Sequence, residues 1–382
     1  MAIRDIEDKE MEIKDFLTEK WMNIYERQAR VNLTDTSCDS LSTRDLLALD
    51  PELFDDVTLD YGWIEGDPAL RKEILSLYSD QNPSSLTTTH GALQANEMVM
   101  CMLLKPGDHV LTFRPGYQQF SDFPRWLGAN VTEFDLDETD WSLDLDAFIE
   151  QITPQTRLVV FANPSNPTGT VLDEDQLKKL AAACGRHGTW ILVDEVYRNP
   201  LDGEKSITDL YERGVATGSL SKQFGLAGLR LGWIKGAPSL IEAVNTFRDY
   251  TIISGGVLSE KIAALALHHK ETILARHLET IENNKQILKA WLDQSPWFSC
   301  ILPSKGTVAF LKLPEGVESE AFCTKLLDET GIFFVPGSCF EKEGYVRLGL
   351  GKSHENLPQA LEQLDQWTGR YLASLQSKPA QS

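Results

Sequence analysis

The feature that most constrains the fold is an alternation of short strand-like runs with helical patterns through the middle of the chain. Runs rich in β-branched and aromatic residues predict seven strands, at 86–90, 109–113, 131–134, 157–161, 190–194, 215–219 and 231–234. Helical patterns lie between or beside them, at 93–104, 173–187 and about 240–250. Such alternation predicts an α/β fold with a mostly parallel sheet whose two faces are covered by helices.

The pattern changes after the middle of the chain. A long helical tract with a break is predicted at 259–292, and shorter strands and helices then follow at 308–313, 319–330, 332–335, 345–350 and 354–372. We therefore predict a large domain with a seven-stranded sheet between helices at 51–290 and a smaller α+β domain at 291–382. Residues 1–50 are predicted to form an arm on the small domain, and the polar tail 374–382 is predicted to be disordered.

Composition narrows the partners and the location. The 382 residues carry a net charge of −21, which repels nucleic acid. The sequence offers neither an apolar run near the ~20 residues of a membrane span nor a secretory signal. The six cysteines are scattered, which predicts free thiols and a cytoplasmic protein. Metal-binding motifs of Cys and His are missing, so we predict no metal.

The segment 219–230, Ser-Leu-Ser-Lys-Gln-Phe-Gly-Leu-Ala-Gly-Leu-Arg, places Lys222 among small hydroxyls and glycines. Because a predicted strand ends at Ser219, that residue, Ser221 and Lys222 lie at its carboxyl end, where ligands bind in open α/β sheets. Ser219 and Arg230 can both bind a phosphate group, the arginine as a planar fork. A lysine beside an anion site is what a Schiff base to a phosphorylated aldehyde cofactor requires.

Two other strand ends carry residues that suit such a cofactor. Gly91, Ala92 and Leu93 follow a predicted strand and open a helix, so their backbone N–H groups would point toward a phosphate. Asp194 ends an apolar strand, and a buried carboxylate needs a partner. A protonated pyridine nitrogen would be such a partner and would keep the ring able to accept electrons. Tyr197 is close enough in sequence to reach an oxygen of the same ring.

Together with Asn-Pro-Ser-Asn-Pro-Thr-Gly at 163–169, these motifs resemble the class I/II aminotransferases, which are fold type I pyridoxal phosphate enzymes. The resemblance covers roughly residues 60–350 and implies a Lys222 Schiff base with pyridoxal 5'-phosphate. It implies transfer of an amino group between an amino acid and a 2-oxo acid. It also implies that Asn166 binds the cofactor's phenolic oxygen near the substrate and that Tyr117 stacks on the ring. Tyr61 would reach the phosphate in the other subunit's site of a homodimer.

Arg347 lies inside an otherwise apolar predicted strand, where a charge needs a partner. The α-carboxylate of the substrate would be that partner, bound through two parallel hydrogen bonds, and the family places its carboxylate-binding arginine in this context. Once the substrate amine displaces Lys222, the freed amine can move a proton between the substrate α-carbon and the cofactor. The predicted catalytic set is therefore Lys222, Asp194 and Tyr197.

Three alternatives stay open. Where relatives have a glycine-containing segment, residues 31–40 are similar to the capreomycidine synthase branch, which eliminates and cyclises a hydroxylated arginine, and Asp35 and Asp39 could suit a basic side chain. A pyridoxal phosphate lyase or cyclase is therefore the main alternative. Ser219-x-x-Lys222 also matches serine acylases, although their companion motifs are missing. A binding module without turnover would usually have lost Lys222 or Asp194, and both are present.

Overall fold

The computed structural model describes residues 13–353 and 356–376. The strands of this part are β1 (Val31–Asn32), β2 (Leu86–Thr89), β3 (His109–Arg114), β4 (Asn130–Asp135), β5 (Thr156–Ala162), β6 (Trp190–Asp194), β7 (Gly214–Ser219), β8 (Gly232–Lys235), β9 (Ser299–Cys300), β10 (Val308–Lys312), β11 (Ile332–Phe333), β12 (Val335–Pro336) and β13 (Tyr345–Gly349). The α-helices are α1 (Leu17–Tyr25), α2 (Thr43–Leu47), α3 (Pro68–Leu75), α4 (Ala92–Leu103), α5 (Gln119–Trp126), α6 (Leu145–Glu150), α7 (Glu174–Gly185), α8 (Ile207–Leu210), α9 (Pro238–Arg248), α10 (Val257–His268), α11 (Lys270–Leu292), α12 (Ser319–Thr330) and α13 (Leu357–Gln376).

The central sheet contains the seven predicted strands in the order β2-β8-β7-β6-β5-β3-β4. The pairs from β7 through β6, β5 and β3 to β4 are parallel, whereas β8 runs antiparallel to both β2 and β7. The prediction of a mostly parallel seven-stranded sheet is therefore confirmed. Because only β8 is reversed, the carboxyl ends of β2, β5, β6 and β7 meet at one edge of the sheet.

Helices cover the two faces of this sheet, and the strand period determines which residue faces which helix. Ile191 and Val193 of β6 belong to the same buried cluster as Leu180 of α7. Leu192, between them, belongs to a second buried cluster with Val99 of α4. Successive side chains of a strand point to opposite faces, so an entirely apolar strand such as β6 needs cover on both sides.

A local signal predicts the start of α7 correctly. At the start of α7, Asp173 accepts a hydrogen bond from the Gln176 backbone at 2.8 Å, and the Gln176 side chain accepts one from the Asp173 backbone at 2.9 Å. This reciprocal pair satisfies two N–H groups that a helix N-terminus leaves free. The predicted tract at 259–292 does contain a break, at His269 between α10 and α11.

The C-terminal part forms a second, antiparallel sheet in the order β12-β13-β10-β9. The strand predicted at 332–335 is in fact two strands, because β11 pairs with β1 while β12 pairs with β13. The N-terminal segment contacts this region, where Trp21 Nε1 donates to the Phe334 carbonyl at 2.9 Å. The domain limits at 50 and 290 stay a prediction.

The prediction of a disordered tail from residue 374 was wrong for its first residues. Helix α13 continues through Gln376, with Tyr371 buried against the core one turn earlier, so apolar burial extends the helix. The rest of that prediction, 377–382, lies outside the described residues, as does 354–355 at the predicted start of this helix.

The described residues also bear on the membrane, metal and cysteine predictions. None of their helices combines the length and hydrophobicity that crossing a bilayer needs. Their His, Cys, Asp and Glu side chains form no group able to hold a metal ion. All six cysteines are free thiols, and burial raises the pKa of Cys38 and Cys184 to about 12, so both stay protonated near neutral pH.

Candidate active site

A cavity of about 480 Å³ opens at the edge where the strand ends meet. It brings together eleven of the thirteen predicted site residues, namely Ala92, Leu93, Tyr117, Asn166, Asp194, Tyr197, Ser219, Ser221, Lys222, Arg230 and Arg347. Gly91 lies directly beside it, against Arg230. Tyr61 lies outside the cavity of its own chain.

Lys222 projects into this cavity from the loop after β7. Its Nζ donates a hydrogen bond to Thr36 Oγ1 at 2.7 Å, and its carbonyl accepts one from the Cys38 backbone at 2.9 Å. In the same loop the Ser221 backbone donates to Ser219 Oγ at 3.2 Å. The amine is therefore held by a neutral hydroxyl rather than by a carboxylate, which leaves it able to exchange partners.

Asp194 ends β6 and is 5% exposed. Its Oδ2 accepts a hydrogen bond from Asn96 Nδ2 at 2.7 Å, and its Oδ1 accepts one from the Val196 backbone at 3.1 Å. Burial raises the pKa of this carboxyl to about 6, against the lowering effects of these two hydrogen bonds and of the Lys222 charge. A buried carboxylate in this condition is stabilised by any cation placed against it.

Asn96, which orients Asp194, was not predicted from the sequence. Thr217 Oγ1 donates to Asn96 Oδ1 at 2.6 Å, which directs the Asn96 amide nitrogen toward Asp194. The available signal was a single asparagine among the apolar residues of a predicted helix, where it is fully buried and needs partners.

One end of the cavity has the features of a phosphate site. Helix α4 begins there, and its first N–H groups have no acceptor within the helix. A Cβ placed on Gly91, whose φ is +88°, would lie only 2.9 Å from Arg230 Nη2, so the guanidinium approaches because this residue is glycine. Ser219 and Ser221 line the same cavity. A helix N-terminus and a guanidinium together suit a phosphate.

Arg347 of β13 forms part of another wall of the cavity and is 5% exposed. Its Nε donates to Thr34 Oγ1 at 3.3 Å and its Nη1 donates to Asn166 Oδ1 at 3.4 Å. Burial lowers its pKa, and within the described residues no carboxylate lies at salt-bridge distance from it. A buried guanidinium with only neutral partners suits an incoming carboxylate.

The aromatic residues divide into two groups. Tyr197 is buried in the cavity, and Tyr117 packs between Phe16 and Phe120, with ring centroids 5.1 and 5.7 Å away. Tyr61 is instead 84% exposed and lines a surface groove that also includes Arg230. Its ring therefore lies on the surface side of Arg230, outside the cavity.

Two carboxylates, Glu19 and Asp35, also line the cavity. Asp35 Oδ2 lies 3.5 Å from Lys352 Nζ, and its Oδ1 accepts a hydrogen bond from the Ser37 backbone at 2.9 Å. Burial acts to raise the Asp35 pKa, but the Ser37 hydrogen bonds and the Lys352 charge outweigh it and lower that pKa. Asp39, the other carboxylate suggested for a basic side chain, does not line this cavity; it accepts a hydrogen bond from the Ser353 backbone at 3.0 Å in a neighbouring groove.

Comparison with known proteins gives consistent relatives. The family model for aminotransferases of class I and II matches residues 50–364. Capreomycidine synthase from Streptomyces vinaceus is 28% identical over 371 residues, 94% of each chain. Arginine–pyruvate transaminase from Pseudomonas aeruginosa is 27% identical and covers 80% of this chain and 81% of that one. The crystal structure of a PLP-dependent aminotransferase from Streptococcus suis has a TM-score of 0.90 and 38% identity, covering 94% of this chain and 99% of that one.

The fold and the cavity define a fold type I pyridoxal phosphate enzyme, as predicted. The chain belongs to the class I and II aminotransferase family and is a pyridoxal phosphate-dependent transferase of amino groups. The serine acylase alternative was wrong, because Lys222 donates to Thr36 and not to Ser219. The residues of the cavity fit the cofactor independently of these relatives. They offer the Lys222 amine, the buried Asp194 carboxylate and an anion site beside Gly91.

Proposed function

We propose that this protein transfers an amino group between an amino acid and a 2-oxo acid, with Lys222 holding the aldehyde of pyridoxal phosphate. The convergence of the Lys222 amine, the Asp194 carboxylate and the Arg230 guanidinium on one cavity supports this proposal most directly. These three groups match the aldehyde, the pyridine nitrogen and the phosphate of the cofactor.

The other cofactor contacts follow from the same arrangement. We assign to the phosphate the backbone N–H groups of Ala92 and Leu93 and the hydroxyls of Ser219 and Ser221, with Gly91 keeping the space open. We assign to the ring the side chains that line the cavity near Asp194, which are Asn166 and Tyr197 for its phenolic oxygen and Tyr117 for its face.

Each catalytic residue has one task in this proposal. Bound pyridoxal phosphate supplies a conjugated ring that accepts electrons from the substrate α-carbon. Asp194 keeps the ring nitrogen protonated, because a cation beside a buried carboxylate favours its charged form. Arg347 binds the α-carboxylate and so orients the α-hydrogen. The Lys222 amine, once displaced by the substrate, takes and returns that proton at Nζ.

We extend the proposal to a homodimer with shared sites. Exposed apolar side chains line the groove that contains Arg230, and these are Leu59, Tyr61 and Leu258. Such a patch is unusual on a monomer, and Tyr61 of the partner subunit would complete the phosphate site. Sedimentation velocity should show a dimer. Tyr61→Phe should weaken cofactor binding but leave the dimer intact.

The acidic lining supports a substrate with a basic side chain. With Lys222, Arg230 and Arg347 assigned as above, Glu19 and Asp35 face the cavity without a ligand group to pair with. Lys352 neutralises Asp35 in part, whereas no described cation lies within salt-bridge distance of Glu19. The name of the arginine–pyruvate transaminase relative points to the same class of substrate.

Cyclisation or elimination on such a substrate is the second candidate. Capreomycidine synthase matches 94% of this chain, whereas the arginine–pyruvate transaminase covers 80%, so the longer match also takes in more of the ends of the chain. The cofactor contacts would be the same in both reactions, and the products would differ.

A panel of amino acids with pyruvate as acceptor tests both candidates. We expect arginine-like substrates to be preferred and to yield 2-oxo acid with equimolar alanine, whereas ammonia or a cyclised product would favour the second candidate. Glu19→Gln should lower kcat/KM for a basic substrate by about tenfold, the effect of losing a hydrogen bond to a charged group. The control Glu279→Gln changes a glutamate on α11 that does not line the cavity, and it should change nothing.

The cytoplasm is the location we propose. All six cysteines are free thiols in the structure, which suits a compartment that keeps thiols reduced. Cell fractionation with an antibody against the protein would test this, and recovery with secreted proteins would contradict it.

A further inference from the structure

The segment from Leu33 to Asp39 is held tightly between the second sheet and the lysine loop, which is the connection between β7 and β8 at residues 220–231. The Gly349 backbone donates to the Leu33 carbonyl at 2.8 Å, and Thr307 Oγ1 donates to the Thr36 carbonyl at 2.6 Å. A Cβ placed on Gly225 of the lysine loop would lie 2.2 Å from the Asp39 carbonyl oxygen. These contacts fix the segment against both neighbours at backbone level.

Two threonines of this segment accept hydrogen bonds from the two cationic side chains that would act on the substrate, Arg347 and Lys222. Thr34 Oγ1 accepts from Arg347 Nε at 3.3 Å, and Thr36 Oγ1 accepts from Lys222 Nζ at 2.7 Å. The exposed fractions of Thr34 and Thr36 are 0% and 4%. Among the described residues, Thr36 is the one hydrogen-bond partner of the lysine amine.

We propose that Thr36 is a positioning residue that holds the released amine of Lys222 at a fixed distance from the arginine that binds the substrate carboxylate. This inference rests on the proposed function. A threonine hydroxyl accepts a hydrogen bond from an ammonium group and donates one to a neutral amine, so Thr36 can hold Lys222 in both protonation states. A lysine side chain without such a partner populates many rotamers, and the proton transfer then loses its alignment.

The geometry separates this role from that of Thr34. Thr36 acts on the group that moves the proton, so its loss should lower kcat. Thr34 acts on the group that binds the carboxylate, so its loss should raise KM. The segment 33–39 therefore positions both the arginine that binds the substrate carboxylate and the lysine that removes the substrate proton.

Thr36→Val, with Thr36→Ser as the conservative control, tests the role of the hydroxyl. We expect Thr36→Val to lower kcat by roughly 10- to 100-fold, as for a misplaced catalytic group, and to increase the isotope effect with α-deuterated substrate, with little change in KM. Thr36→Ser should stay close to wild type. Thr34→Val should raise KM and leave the isotope effect unchanged.

A second readout needs no cofactor. In the cofactor-free protein, reductive methylation of Lys222, followed by peptide mass spectrometry, should be about threefold to tenfold faster in Thr36→Val, because a hydrogen bond to a charged group is lost. If Thr36→Val does not fold, as judged by its melting temperature, Thr36→Ala carries the same expectations.

The outcomes separate this inference from the proposed function. If wild type traps the cofactor on Lys222 and turns over, but Thr36→Val matches it in kcat, isotope effect and methylation rate, Thr36 has no positioning role. If wild type does not trap the cofactor on Lys222, the proposed function and this inference fail together.

Discussion

The cavity has two contrasting sides. Its floor consists of residues at or soon after the carboxyl ends of strands of the central sheet, namely Ala92, Asn166, Asp194, Ser219 and Lys222. Its wall consists of residues from α1, from the segment 33–39 and from β13, namely Glu19, Asp35, Thr36 and Arg347. The floor is positioned by one sheet, whereas the wall is assembled from three distant parts of the chain.

This difference separates the two tasks of the site. Parallel strands end at one edge, so the floor presents its amine, carboxylate and anion site in a fixed relation, which suits a cofactor of constant shape. The wall depends on contacts between distant segments and can vary without disturbing the sheet. We therefore expect floor variants to change the cofactor and its chemistry, and wall variants to change the handling of the substrate.

The largest effect is expected on the floor. Asp194→Ala should lower kcat by roughly 10²- to 10³-fold, because the charge that stabilises the protonated ring is gone. The protein should still fold and still trap the cofactor on Lys222. Stopped-flow absorbance should show a slow proton abstraction, and near-normal turnover would count against the pairing of Asp194 with the ring nitrogen.

A wall variant should separate substrate from cofactor. Arg347→Gln should reduce kcat/KM by about 100-fold, because a bidentate hydrogen-bonded ion pair with the α-carboxylate is lost. The absorbance of the bound cofactor should match wild type. Arg347→Lys should restore little, since an ammonium group cannot form the planar fork. A spectral change as large as the kinetic loss would contradict the division between floor and wall.

A pair of glycine variants tests the phosphate end. Gly91→Ala should weaken cofactor binding by about tenfold. The new Cβ would displace the Arg230 guanidinium, and the positive φ of Gly91 is strained for alanine. Gly107→Ala is the matched control, since Gly107 has a similar φ of +89° and a Cβ there meets nothing within 4 Å. Titration of the cofactor-free proteins with pyridoxal phosphate measures both. Equal affinities of the two variants for pyridoxal phosphate would contradict the assignment of Arg230 to the phosphate site.

The smallest effect concerns pH. The Asp194 carboxyl has a pKa of about 6 when folded and an ordinary value of 3.8, so between these values the folded state holds a proton that the unfolded state has released. The stability of the cofactor-free protein therefore falls as pH rises through this window. Relative to Asp194→Asn, wild type should lose about 1 kcal/mol of unfolding free energy between pH 5 and pH 7.5. Urea unfolding measures this difference, and a flat difference would contradict the raised pKa.

Sequence patterns predicted the floor well because its signals are local. The strand ends at Asp194 and Ser219 and the helix Ser319–Thr330 agree with the structure to the residue. Apolar runs, capping residues and small residues in tight turns are all local requirements, and they can be seen without knowing which distant segments meet.

The wall and the supporting contacts were harder to predict. The hydrogen bonds of Asn96 to Asp194, Thr36 to Lys222 and Thr34 to Arg347 join residues 98, 186 and 313 positions apart. An isolated threonine or asparagine has no pattern that names such a partner. For the same reason the single strand predicted at 332–335 could not be divided into β11 and β12, because each half pairs with a different distant strand.

The proposed function depends above all on covalent attachment of the cofactor to Lys222, which borohydride reduction makes permanent and measurable. The protein, loaded with pyridoxal phosphate and reduced with borohydride, should yield one modified peptide, carrying the pyridoxyl group on Lys222, and Lys222→Ala should yield none. A modified peptide at another lysine, or unchanged labelling in Lys222→Ala, would overturn the assignment of Lys222 as the residue that holds the cofactor.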